Sequence, residues 1–192
     1  VVEALRAGRH AVGMTKNPRW WRVARANVTA AKYGGAWHDG AILDSGAAVG
    51  PACDPGLAES ADLVVTAVRL PTVMDSLSPD SDCLNGLRAS ASSLLRPGGY
   101  AVVVVRTHRA PDGTHLDLAS LVSRVGEASG LIQVDRCIAV TGQVRADRIV
   151  ARASTVAREA ADRARAAGTP TGLVAHRTVV IFRAPCMSDE QV

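Results

Sequence analysis

Short apolar runs alternate along this chain with longer stretches of helical periodicity. Residues 61–71 read ADLVVTAVRLP, with Leu63, Val64 and Val65 between Asp62 and a terminating Pro71. Such a run is the signature of a buried parallel strand. Similar runs predict strands at His10–Met14, about Ala41–Leu43, Asp62–Thr66, Tyr100–Arg106, Leu131–Val140 and Val174–Arg183. The last two are expected to pair antiparallel. Helices fill the intervals. One tail ends at Gly8, and a second helix starts at Asn17-Pro18 and stops at Gly34 or Gly35. A third follows Ser81 or Asp82, a fourth spans LDLASLVSRVGEASG, and a fifth runs from about Thr155 to Gly168. The alternation predicts an α/β fold, a three-layer sandwich on a mostly parallel sheet with an antiparallel C-terminal strand. One domain over residues 1–185 and a short tail over 186–192 account for the chain, without an internal repeat.

The helical faces can be read residue by residue. In the second helix Trp20, Ala24, Val28 and Ala31 fall on one side, with Val23 beside them. That spacing favours packing for Trp20, with base stacking by Trp20 or Trp21 as the alternative. Glu159 and Arg163 stand four apart in the fifth helix and are placed to pair.

Composition narrows the classes. At 47% hydrophobic and 21% charged residues the chain is globular in character. The net charge is +4, and all but Lys16 and Lys32 of the 22 basic residues are arginine. Arginine binds phosphate bidentately, although abundant Arg and Ala together also fit a compositional bias. The six arginines between Val144 and Ala167 read as a DNA-backbone face or, more simply, as a solvated helix. Cys53, Cys83, Cys137 and Cys186 are far apart and form no CxxC, which argues against zinc and for reduced thiols in the cytoplasm. The five histidines are isolated, so no metal site is predicted. No apolar run approaches a membrane span. The chain opens on Val1 inside a helical pattern, which predicts a truncated N-terminus.

In open α/β sheets ligands bind beyond the carboxyl ends of the strands. Thr66, Ala67, Val68, Arg69 and Leu70 are therefore the residues expected to line a site. Three segments carry a family resemblance: EALRAGRHAVGMTKNPRWW, ADLVVTAVRLP and LLRPGGYAVVVV. Together with the closing HRTVVIFRAP they resemble the S-adenosylmethionine-dependent DNA amino-methyltransferases over Glu3 to Pro185. The RPGG turn is the most specific match and marks class I methyltransferases generally.

The resemblance implies a cofactor, S-adenosylmethionine, and a partner, DNA. It also locates the chemistry, and there this chain departs from it. The family's loop reads SPPY or a close variant. Its Ser matches Ala67, its two prolines match Val68 and Arg69, and its aromatic matches Leu70. The acid that binds the cofactor ribose matches Thr15, and the acid that contacts its base matches Ala47, with Asp44 three residues before the expected position. The family's glycine-rich first motif and first strand would precede Val1. That strand lies centrally in the family's sheet, between the second and the fourth. Two readings follow: a degenerate member that keeps the fold and nucleic-acid binding but not methyl transfer, or an active methyltransferase whose missing motif is supplied upstream. A plain nucleotide-binding module is weaker, because no GxGxxG opens a helix.

Overall fold

The computed structural model describes residues 1–15, 17–44, 55–68, 84, 93–109, 114–169 and 171–186. They fall into two compact units, Val1–Pro55 and Gly56–Val192.

The first unit joins helix α1 (Val2–Arg6), strand β1 (Ala11–Thr15), helix α2 (Pro18–Tyr33) and strand β2 (Gly40–Asp44). Gly8 ends the first helical segment at φ 73°, a conformation open to glycine at little steric cost. Asn17 caps α2 by accepting from the Arg19 amide at 3.0 Å, with Pro18 at the first helical position. Strands β1 and β2 pair in parallel from Ala11↔Gly40 to Thr15↔Asp44. Leu5 is 1% exposed and packs on Gly40, where a Cβ would collide with its side chain.

The inner face of α2 differs from the periodicity reading. Trp20 is exposed, and its neighbour Trp21 turns inward. The Trp21 indole donates to the Ile42 carbonyl at 3.2 Å, tying helix to strand, and Arg25 stacks over its ring at 4.6 Å. Trp21, Ala24, Val28 and Ala31 satisfy the helical spacing as well as the set headed by Trp20. The indole N–H decides between them, because a half-buried donor needs an acceptor.

The second unit is built on a four-stranded sheet. Its strands are β3 (Ala61–Val68), β4 (Leu95–Val105), β7 (Ile132–Val140) and β10 (His176–Arg183), in the order β3-β4-β10-β7. Strands β3 and β4 pair in parallel, and β10 runs antiparallel to both β4 and β7. Thus β3, β4 and β7 share one direction, and the expected antiparallel pairing of the last two long strands is found. Two small pairs, β5 (His108–Arg109) with β6 (His115–Leu116) and β8 (Gln143–Arg145) with β9 (Arg148–Val150), were not legible as strands.

Pairing of β4 begins earlier than the sequence suggests. The register jumps from Ala61↔Leu95 to Leu63↔Tyr100, so Arg96, Pro97, Gly98 and Gly99 oppose Asp62 alone. The RPGG turn is thus an irregularity inside the strand. Gly98 adopts φ 76°, and a Cβ on Gly99 would meet the Ala61 carbonyl.

One face of this sheet is the core. Ala101, Val103 and Val105 of β4 and Val180 and Phe182 of β10 pack with Leu118, Leu121, Val122 and Val125 of helix α3 (Leu118–Ala128). The other face carries Leu63 and Val65, which are 55% and 64% exposed at the β3 edge. Helix α4 (Thr155–Ala166) is capped by Ser154, and its ion pair is Arg165–Asp162 rather than the Glu159–Arg163 pair the spacing suggested. Most of the expected helix between Ser81 and Leu94 lies outside the described residues. No helix among the described residues is long and apolar enough to cross a membrane.

Asp117 caps α3 through the Ser120 amide at 3.0 Å and the Ser120 hydroxyl at 2.5 Å. The bonds from Ser120, with a smaller contribution from the Arg136 guanidinium, lower its pKa below the ordinary 3.8. A carboxylate held below its unfolded value stabilises the fold above that value and loses the effect as pH falls through the folded one. Asp117→Ala is expected to cost about 1 kcal/mol at pH 7, read by urea denaturation. The difference from wild type should shrink below pH 3.8, and an unchanged difference there would refute the capping account.

Candidate functional site

Strands β3 and β4 run in parallel to a common carboxyl edge, where Val68 pairs with Val105. Period-two geometry then sorts the candidate residues. Thr66 pairs with Val103, which is fully buried on the core face, and Val68 is itself 4% exposed. Ala67 pairs with Val104 on the opposite face and is exposed. The hydroxyl of Thr66 and the methyl of Ala67 therefore address different sides of the sheet. Arg69 and Leu70 lie outside the described residues.

Thr15 and Asp44 close the first unit's strands as register partners at their carboxyl ends. The Thr15 hydroxyl accepts from the Asn17 amide at 3.2 Å, at the entry of α2. Ala47 lies outside the described residues. Thr15 and Asp44 thus stand at the carboxyl ends of the first unit's two strands. Within the first unit a groove of about 740 Å³ lies among Glu3, Arg6, Asn27, Gly35, Trp37 and His38. It borders the amino end of β2, away from Thr15, and Trp37 stands 93% exposed at it.

Two residues at the sheet's carboxyl edge were missed. Arg106 follows β4 directly, and Arg177 is the second residue of β10. Burial first, and the Arg106 charge second, lower the pKa of Arg177. Their proximity arises from pairing between segments distant in sequence, and no local motif signals it. Among the described residues no cluster of His, Cys, Asp and Glu could hold a metal.

No protein-family model and no curated protein matches the chain. Solved structures do. A variant of the 16S rRNA (adenine(1408)-N(1))-methyltransferase from Catenulisporales acidiphilia, solved with its cosubstrate S-adenosylmethionine, is 21% identical at a TM-score of 0.54. The match covers 97% of this chain and 80% of that one. A candidate methyltransferase from Bacillus halodurans is 14% identical at a TM-score of 0.55, over 92% of this chain and 84% of that one. Against a candidate DNA modification methylase from Thermus thermophilus the TM-score is 0.43 at 16% identity, over 67% of this chain. There the chain spans 48% of the other protein's length. The strand order β3-β4-β10-β7 with its one reversed strand agrees with the expected fold class. By its fold, then, this chain is a class I methyltransferase-like α/β protein, as the sequence resemblance implied.

Proposed function

We propose that this chain is a methyltransferase-fold domain that binds nucleic acid and does not itself transfer a methyl group. The observation that carries this reading is the split at β3. Ala67 occupies the place of the amine-orienting acceptor and offers only a methyl group, while the neighbouring Thr66 is turned to the face of Val103. The cofactor end points the same way. A ribose diol is bound well by a carboxylate, which accepts two hydrogen bonds. Thr15 has no charge, and its hydroxyl already accepts from Asn17. Thr15 by itself does not match the carboxylate that the family resemblance puts on the ribose. Nucleic-acid binding draws on the net charge of +4 carried almost wholly by arginine. It also draws on the rRNA-modifying enzyme that shares the fold.

An active enzyme is the second reading, and Asp44 favours it. The backbone register pairs this acidic position with Thr15 at the strand end. Calorimetry with S-adenosylmethionine separates the two. The expected result is no binding heat in the micromolar range, for the wild-type chain and for Thr15→Glu alike. A micromolar dissociation constant that Asp44→Asn abolishes would establish the second reading instead.

A further inference from the structure

The carboxyl edge of the second unit's sheet gathers positive charge that no acid among the described residues pairs with. Strand β10 runs antiparallel to β4, and Thr178 pairs with Val105. The next cross-strand position sets Arg177 against Arg106. Like charges directly opposite each other destabilise a sheet. Among the described residues the ion pairs of this unit are Arg96–Asp62, Arg136–Asp117 and Arg165–Asp162, and none involves either arginine. The neighbours in sequence are Thr107 and His108 on one strand end and His176 on the other. None can supply a negative charge at neutral pH.

Both arginines sit on the face opposite α3, in the rows that continue from Ala67, Val104 and Val179. Arg177 is half-buried, and among the described residues its guanidinium makes one hydrogen bond, from Nη1 to the His176 carbonyl at 2.9 Å. A guanidinium has five N–H donors in a planar fork, so four remain for a ligand. The edge is also where open α/β sheets bind ligands. Two adjacent cations with spare donors form an anion site, and their repulsion is relieved when a multiply charged anion lies between them.

We propose that Arg106 and Arg177 clamp a phosphate group of a nucleic-acid backbone. The clamp rests on the nucleic-acid reading above and supplies its contact. It leaves base identity unread, since phosphate contacts position a protein without specifying sequence.

The test uses the full chain and Arg106→Gln, an exposed position whose replacement leaves the core intact. Binding of a labelled mixed-sequence duplex DNA is measured by fluorescence anisotropy across a salt series, and melting is followed with and without inorganic pyrophosphate. The variant is expected to bind DNA about tenfold more weakly, with a salt slope reduced by about one. It should melt no lower than wild type, because a repulsive pair has been removed. Arg106→Lys, which keeps the charge and loses the fork, should fall between them. DNA affinity equal in wild type and Arg106→Gln overturns the clamp and leaves the nucleic-acid reading standing. Wild type that fails to bind DNA overturns both, even if pyrophosphate raises its melting temperature through Arg106, for then the ligand is a free phosphate compound.

Discussion

Duplex DNA of mixed sequence, incubated with this chain and methyl-labelled S-adenosylmethionine, is expected to gain no label above background. An exocyclic base amine is a poor nucleophile, because its lone pair is delocalised into the ring. The chemistry implied by the family resemblance needs fixed acceptors aimed at the amine protons, an electrostatic effect that depends on geometry set in advance. Losing one such contact typically costs about 2.7–4 kcal/mol, or roughly 100- to 1000-fold in rate. By that resemblance Ala67 stands where the side-chain acceptor would be, and Val68 and Arg69 stand where prolines would fix the carbonyl. The same resemblance puts Leu70 in the place of a stacking ring, a contact that contributes about 1–3 kcal/mol per base. Thr66 offers no substitute from the core side of β3. Label incorporation that vanishes in Thr66→Ala would show that this hydroxyl reaches the substrate after all.

The second large effect belongs to Phe182. It is the chain's only phenylalanine and is fully buried between the sheet and α3. Its ring occupies the space over Gly126, where any Cβ would fall inside the ring's van der Waals envelope. Phe182→Ala is expected to cost about 3–5 kcal/mol through lost transfer and the cavity left behind. For a protein of this size that is a melting temperature lower by about 6–20 °C. Gly126→Ala should also destabilise, although alanine is the better helix former by roughly 1 kcal/mol. In the Phe182→Ala background the sign should reverse, since the added methyl then fills vacated space. A double-mutant cycle with additive terms would contradict this packing.

Gly126 also shows where sequence reading stops. A glycine in the middle of an amphipathic helix looks like a weakness until its partner 56 positions away is known. The strands were legible because apolar runs and period-two alternation are local. The opposite faces of Thr66 and Ala67 follow from the same rule. Trp20 and Trp21 were not separable by periodicity, because adjacent residues near the edge of a helical stripe fit it almost equally. A hydrogen bond to Ile42 broke the tie. Arg106 and Arg177 were invisible for a related reason. Each is an ordinary basic residue at the end of a strand, and only the register of β10 on β4 brings the two together.

The position of β10 between β4 and β7 also sets an order of events during synthesis. Val180 and Phe182 belong to the core, yet they leave the ribosome about 80 residues after the β4 strand they pair with. Until then β4 and β7 have no common neighbour, and α3 has only part of the surface it packs on. Strand pairing of such long sequence separation is slow, and nascent chains expose apolar surface while they wait. The second unit's core therefore stays open until β10 inserts, however early its helices form.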